Sequence, residues 1–182
     1  MHWFFYEFTP DYPYVSSALK FLVLGTLGEW LGAVLRSRVS WRPFPLYKLW
    51  AKAAIWALLG VLIKWIFSSF VLLVLAQSER GLLPSACGHA GSLAFALAVS
   101  FQMNMFFSPF LMYAHRFLDN LADQRWNWAG METAIYSIAW FWLPAHTVTF
   151  LLPENFRVLF AALLSVALGV ILGFAKRSPT DS

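Results

Sequence analysis

The sequence has little charge: Asp, Glu, Lys and Arg make up 12% of its 182 residues, about half the share of an ordinary soluble domain. Its one cysteine, Cys87, excludes an internal disulfide, and the sequence offers no Cys/His spacing for a structural metal. What it has instead is apolar: 60% of the residues are hydrophobic, including 18 Phe and 10 Trp. The composition therefore predicts an integral membrane protein whose first partner is the lipid bilayer.

A net charge of +4 in a soluble protein would raise the question of nucleic acid. The basic residues here are not gathered on one polar face, so we expect no nucleic-acid partner. They are better interpreted as signals of membrane topology.

Five hydrophobic runs divide the chain, and each is close to the roughly 20 residues that an α-helix needs to cross a bilayer. They do not alternate polar with apolar residues at period two, which excludes strands of a membrane barrel. The prediction is an all-α polytopic bundle of five hydrophobic helices with four to five spans. The helices are expected at about 17–35, 53–76, 90–114, 129–152 and 156–175.

The whole chain, 1–182, is expected to be one membrane domain, with an aromatic interfacial segment at 1–16 and no signal peptide. With five spans, nine of the 13 basic residues fall on one side and three on the other, while Lys64 lies inside the second helix. Because the cytoplasmic side collects Lys and Arg, this count predicts the N-terminus outside and the C-terminus inside.

Small residues recur at helical spacing in the first and fifth helices, where they would let two helices approach closely. We interpret them as packing residues within the chain, with a dimer interface as the alternative. They are Gly25, Gly28, Gly32, Ser165, Gly169 and Gly173.

Charged residues within apolar helices are costly and need partners. Lys64 lies near the middle of the second hydrophobic run, and Glu29 of the first helix is its expected partner. This pair has two interpretations: part of a polar pathway, or a structural pair that fixes helix register.

Other polar residues interrupt the third and fourth helices and must face the bundle or a wet cavity. His146 is the one that could titrate near neutral pH, although such a histidine more often serves as an interhelical hydrogen-bond donor. Together with the charged pair they are the candidates for lining or gating a pore: Glu29, Lys64, Gln102, Asn104, His146 and Thr149.

No GxSxG, Ser/His/Asp order or Gly-rich phosphate loop is present, so we expect no enzymatic activity and no cofactor. His115 and Asp119 are four residues apart and can meet on one helical face. Metal binding would need a third ligand, and spacing along the chain supplies none, so we expect this pair to be a surface feature and not a metal site.

The stretch from Trp140 to Leu159 resembles the signature of the Mpv-seventeen / 22-kDa peroxisomal membrane protein family. In this sequence the matching positions are Trp142 (or Trp140), Pro144, Phe150, Pro153 and Arg157. Earlier elements follow in the same order: Gly28-Glu29, the segment 47–67, and Met103-Asn104 with Pro109. His146 or Thr147 stands where the family has Gln, and Thr149 where it has Asn.

The resemblance implies a small α-helical protein of a family described as non-selective or weakly cation-selective channels. We therefore expect a channel or transport-related pore for ions or small metabolites. The alternative is a non-catalytic accessory subunit of a larger membrane complex, and a homo-oligomer is compatible with either. The absence of an Arg/Ser-rich transit peptide favours a bacterial inner (plasma) membrane over an organellar one.

Overall fold

The computed structural model describes residues 7–37 and 45–175, without the side chains of residues 36, 37 and 172–175. Within these ranges all regular secondary structure is helical. The helices are α1 (Thr9–Asp11), α2 (Pro13–Ser37), α3 (Leu46–Glu79), α4 (Leu93–Phe106), α5 (Ser108–Asp123), α6 (Met131–Ser137), α7 (Leu143–Leu151) and α8 (Glu154–Ala175). A 3₁₀ turn, Ser85–Gly88, precedes α4, and a π-helical segment, Ile138–Trp142, joins α6 to α7.

Four of the described helical stretches are long and apolar enough to cross a membrane. They are Pro13–Leu35, Leu46–Glu79, Met131–Leu151 and Glu154–Ile171. The pair α4 and α5 would make a fifth span if its two bent halves are counted together. The predicted all-α class is confirmed for the described residues, and the hydrophobic runs correspond to these helices with shifted ends.

The second helix differs most from its predicted range of 53–76. It begins at Leu46 and ends at Glu79, so its 34 residues extend about 51 Å at 1.5 Å per residue. That length exceeds the roughly 30 Å of a hydrocarbon core. A residue in the middle of α3 is therefore not necessarily at the membrane midplane.

The third predicted helix, 90–114, is broken in the structure. Helices α4 and α5 meet at Phe107 with a bend of 48°. Pro109 lies in the first turn of α5, where its missing N–H costs no hydrogen bond. The helical chain then continues beyond residue 114 to Asp123, which places His115 and Asp119 inside a helix.

The fourth helix, predicted at 129–152, is observed as one helical stretch, Met131–Leu151, with a π-helical interruption. Pro144 follows that segment directly, in the first turn of α7. A π turn is one of the ordinary ways in which a helix accommodates a residue that cannot continue the hydrogen-bond ladder.

Helices α2 and α8 run parallel and touch backbone to backbone. A Cβ built on Gly28 would lie 2.6 Å from the Ser165 carbonyl oxygen, and one on Gly32 would lie 2.8 Å from that of Gly169. A Cβ on Gly169 would lie only 2.2 Å from the Gly28 oxygen. The small residues thus allow a contact within the chain that no larger side chain would permit.

Helix α3 packs antiparallel against α2. Gly25 lies against Trp56, and Gly60 lies against Ser17 and Phe21 at the other end of the same contact. The remaining core is built mainly from α4 and its neighbours, with Phe95, Phe150, Met103, Val74 and Val99 the largest fully buried apolar side chains. Gly173 lies in α8 beyond the described side chains, and residues 1–6 of the expected interfacial segment lie outside the described residues.

Candidate functional site

Five charged side chains meet where α2, α3 and α5 come together; we call Glu29, Lys48, Lys52, Asp119 and Asp123 the charge cluster. The Lys52 ammonium contacts Oε1 of Glu29, and it lies 3.3 Å from Oδ1 of Asp119 and 3.8 Å from Oδ2 of Asp123. Lys48 lies 3.0 Å from Oδ1 of Asp123. The side chain of Lys52 is 4% exposed, so this ion-pair network is largely withdrawn from solvent.

Two aromatic rings adjoin the charge cluster. The Trp56 indole donates a hydrogen bond from Nε1 to Oε2 of Glu29 at 3.0 Å, and its ring centroid lies 4.6 Å from that of His115. Ligand atoms of Glu29, His115 and Asp119 all lie within 4.8 Å of one another, a grouping able to hold a metal ion. Spacing along the chain reveals only the His115/Asp119 half of this group, because Glu29 comes from α2.

The expected pair of Glu29 with Lys64 is wrong. Glu29 pairs with Lys52, and the Lys64 ammonium lies 2.9 Å from Oε1 of Glu154. In an antiparallel pair the end of α2 lies beside the start of α3, which brings Lys52 and not Lys64 to Glu29. Lys64 lies near the middle of the second hydrophobic run, but its partner is the first residue of α8, at one end of that helix.

Lys64 and Glu154 border a cavity of about 290 Å³ at the opposite end of the α2–α3 contact, which we call the polar cavity. Its other lining residues are Thr9, Pro10, Pro13, Ser17, Asn155 and Val158. The buried Lys20 lies next to it and donates from Nζ to Oγ1 of Thr9 at 3.2 Å.

An aromatic pair, Phe21 and Trp56, lies between the polar cavity and the charge cluster. The two rings are stacked, with centroids 6.1 Å apart and planes inclined by 10°. Ser17, which lines the cavity, is one helical turn before Phe21, and Trp56 is bonded to Glu29 on the other side. Two polar regions are thus separated along α2 and α3 by one layer of aromatic side chains.

A separate polar network is buried between α4 and α7. Asn104 donates from Nδ2 to the carbonyl oxygen of Ser100 at 2.8 Å and lies 3.1 Å from Nδ1 of His146. Ser108 donates to Oδ1 of Asn104 at 2.9 Å, and Ser100 donates to the carbonyl oxygen of Leu143 at 2.7 Å. These bonds satisfy backbone carbonyl groups of both α4 and α7, and they join Ser108, just after the bend at Phe107, to Asn104 before it, which makes the network structural.

The last two expected pore residues lie elsewhere. Gln102 donates from Nε2 to Oε1 of Gln77 at 2.7 Å, and the fully buried Thr149 donates to the carbonyl oxygen of Ala145 at 2.9 Å. The six expected pore residues are therefore distributed over separate locations and do not converge on one path. The sequence alone does not identify the other side chains of these sites, which are Lys48, Lys52, Trp56, Asp123 and Glu154.

The residues that carry the family resemblance lie along α7, from its start to the turn between α7 and α8. Trp142 stacks on His146 with ring centroids 5.2 Å apart, Pro144 lies in the first turn of α7, and Pro153 lies in the turn itself. Arg157 donates from Nε to the carbonyl oxygen of Leu152 at 2.9 Å, and its guanidinium lies 5.7 Å from the centroid of the buried Phe150. Arg157 and Phe150 thus contact each other at the α7–α8 turn, while Trp142 and Pro144 lie at the other end of α7.

Comparison of the chain with protein-family models, curated proteins and solved structures found no match.

Proposed function

We propose that this chain is a small transport-related membrane protein that admits ions or small metabolites along the α2–α3 contact. The observation that supports this proposal is the order of polar cavity, aromatic pair and charge cluster along one helix pair. Charges kept inside apolar helices commonly mark solute pathways, since their insertion is costly. The resemblance of residues 140–159 to a family of described channels points the same way.

In this proposal the Phe21–Trp56 pair is the closed gate. Ser17 and Lys52 lie at its two sides, and apolar constrictions between wetted regions stop ions by excluding water. The pore differs from the one expected from the sequence: it uses Glu29 and Lys64 at opposite ends of one path, and it leaves Gln102, Asn104, His146 and Thr149 as packing residues.

Reconstitution into planar bilayers tests the gate. We expect Trp56→Ala or Phe21→Ala to raise conductance well above that of the wild type, because either change removes half of the barrier. Trp65→Ala is the matched control, since Trp65 lies on the same helix but is 55% exposed. Folding of each variant is checked by its elution as a single species in detergent.

Two outcomes would overturn the proposal. One is the absence of conductance above empty membrane in the wild type and in both gate variants. The other is conductance that stays unchanged in amplitude and ion preference when Glu29→Gln and Lys64→Met are introduced into a conducting variant.

A second candidate, the accessory subunit, is supported by an apolar depression on the outer side of α2 and α3. Its volume is about 450 Å³ and its lining is Tyr14, Leu58, Val61, Leu62 and Trp65. A partner helix seated there would co-purify in stoichiometric amount in mild detergent and be lost with Trp65→Ala. Recovery of this chain alone would favour the transport proposal.

A further inference from the structure

His115 has a buried ring nitrogen without a hydrogen-bond partner among the described residues. Its Nε2 is withdrawn from solvent, and the nearest acceptor group, Oδ2 of Asp119, is 3.7 Å away, beyond hydrogen-bond distance. A buried polar atom left unpaired costs free energy and needs an explanation. This nitrogen points to a site that already contains two carboxylates, Glu29 and Asp119.

The charge balance of the site favours a further cation. Three carboxylates, those of Glu29, Asp119 and Asp123, face the two ammonium groups of Lys48 and Lys52. Among the described side chains of the cluster one negative charge is left in excess, in surroundings where the side chains of Glu29 and Asp119 are each 17% exposed. An ion can reach the site through that exposed fraction, and a water molecule can complete its coordination.

The geometry suits a three-ligand site. The ligand atoms of Glu29, His115 and Asp119 lie within 4.8 Å of one another. A tetrahedral Zn²⁺ with bonds of about 2.0–2.2 Å places its ligands roughly 3.4 Å apart, so the ligand atoms would have to approach one another by at most about 1.4 Å. Two carboxylates with one imidazole are a ligand set that favours Zn²⁺ and similar transition ions over Ca²⁺ or Mg²⁺.

The hydrogen bond from Trp56 orients the first ligand. Its indole holds Oε2 of Glu29 and leaves Oε1 directed at the Lys52 ammonium. Such fixed outer partners are typical of metal-binding carboxylates. Lys52 contacts Oε1 of Glu29 and Oδ1 of Asp119, so a metal ion and the ammonium would compete for the same two carboxylates.

Asp123 offers the Lys52 ammonium an alternative ion-pair partner. Its Nζ lies 3.8 Å from Oδ2 of Asp123, and a shift of about 1 Å would turn that contact into a close ion pair. Asp123 would thus hold the ammonium while Glu29 and Asp119 are released. We propose that Glu29, His115 and Asp119 form a site for a Zn²⁺-class divalent ion, which binds in exchange with the ammonium of Lys52. The inference does not rest on the transport function.

The test is a Zn²⁺ titration of the full chain, purified in detergent with a tag that contains no histidine, followed by isothermal calorimetry. We expect saturable binding of one ion per chain. His115→Ala should weaken the affinity by at least about tenfold, as loss of a ligand costs no less than loss of an outer-shell partner. His89→Ala is the matched control, because His89 is an exposed histidine outside the cluster.

Lys52→Met tests the exchange itself. Without the competing ammonium, Zn²⁺ should bind at least about tenfold more tightly and should raise the melting temperature of this variant more than that of the wild type. Lys52→Gln provides a second variant if Lys52→Met is not recovered folded. Co²⁺ as a probe should give the absorption bands of a low-coordinate site in both variants, and these bands should disappear with His115→Ala.

The absence of saturable Zn²⁺ binding in the wild type and the Lys52 variants would overturn the proposal. So would binding that is equally strong in His115→Ala, or that is lost in His89→Ala, since it would then come from surface residues. Affinity unchanged by Lys52→Met would reject the exchange with the ammonium.

Discussion

The indole Nε1 of Trp56 donates a 3.0 Å hydrogen bond to Oε2 of Glu29, across the antiparallel contact of α3 and α2. This bond joins the charge cluster to the aromatic pair, because the same indole stacks on Phe21. The close packing of Gly25 makes room for it: a Cβ at that position would lie 2.4 Å from the indole. One side chain thus links the polar and apolar parts of the site.

Replacing the indole by a phenyl ring tests this link. Trp56→Phe keeps an aromatic ring against Phe21 but removes the donor to Glu29, so we expect a loss of about 1.5–3 kcal/mol, as for a hydrogen bond to a charged group. Equilibrium unfolding in mixed SDS micelles gives the free energy. Trp65→Phe, at an exposed position of the same helix, should change it much less. Equal losses in the two variants would contradict the assignment.

The buried ammonium of Lys52 should matter far more than its neighbour Lys48. In the presence of a metal chelator, Lys52→Met leaves Glu29 and Asp119 uncompensated and should cost about 3–5 kcal/mol. Lys48→Met should lower the free energy of unfolding by only about 0–1 kcal/mol, because the Lys48 side chain is 23% exposed and pairs with Asp123 alone in the cluster.

A second substitution should restore part of the stability that Lys52→Met loses in the same unfolding measurement. Adding Glu29→Gln to Lys52→Met removes one of the stranded carboxylates, so the double variant should be more stable than Lys52→Met alone. A double variant that is less stable would show that Glu29 is held by something other than this ion pair.

The helical type of the hydrophobic runs follows from the sequence because each run is long, continuous and bounded by turn residues. The ion-pair partners of the buried charged residues were harder to predict from the sequence. The predicted range of 53–76 leaves Lys52 just outside the second helix, because a charged residue precedes the apolar run, yet α3 begins at Leu46 and carries Lys52 as a buried helical residue. Whether a basic residue at the edge of an apolar run is buried or exposed depends on its acidic partners. For Lys52 these partners, Glu29 and Asp119, lie on two other helices.

The depth of a charged residue in the membrane was also hard to predict from the sequence. The pair of Glu29 with Lys64 rested on counting residues from the ends of an apolar run, which assumes that the run and the span coincide. For α3 they do not, because its 34 residues exceed a single crossing. The break at Phe107 was also hidden, since Pro109 is compatible with a kinked helix as well as with a new helix start.

The contact of α2 with α8 predicts a sharp difference between two positions of α8. Gly169→Leu would force a side chain into the Gly28 backbone, where a Cβ alone would lie 2.2 Å from the carbonyl oxygen. Because backbone cannot yield as a side chain can, we expect at least the roughly 1–3 kcal/mol typical of overpacking. Ala167→Leu, on an exposed part of the same helix, should be nearly neutral.

Thermal unfolding in detergent distinguishes this packing from the dimer alternative. If the glycines pack within the chain, Gly169→Leu lowers the melting temperature at every protein concentration and leaves the oligomeric state unchanged. Loss of a dimer with an unaltered monomer would instead assign the small residues to an interface between copies.

The 3.0 Å contact between Lys48 and Asp123 places the start of α3 and the end of α5 at the same end of the bundle. For a chain that crosses the membrane, this predicts that α4 and α5 together form one bent crossing. Single cysteines at the exposed positions Tyr47→Cys and Arg125→Cys, in a Cys87→Ala background, should then react with a membrane-impermeant maleimide from one side. Arg80→Cys and Asn155→Cys should react from the other side.

The basic-residue count assigns the first pair to the cytoplasmic side. Tyr47→Cys and Arg125→Cys should therefore react in inside-out vesicles and stay protected in intact cells, and the second pair should show the reverse. Reaction of all four from the same side would refute the bent crossing. If the four sites divide into the predicted pairs but with opposite sidedness, the crossing stands and only the orientation is reversed.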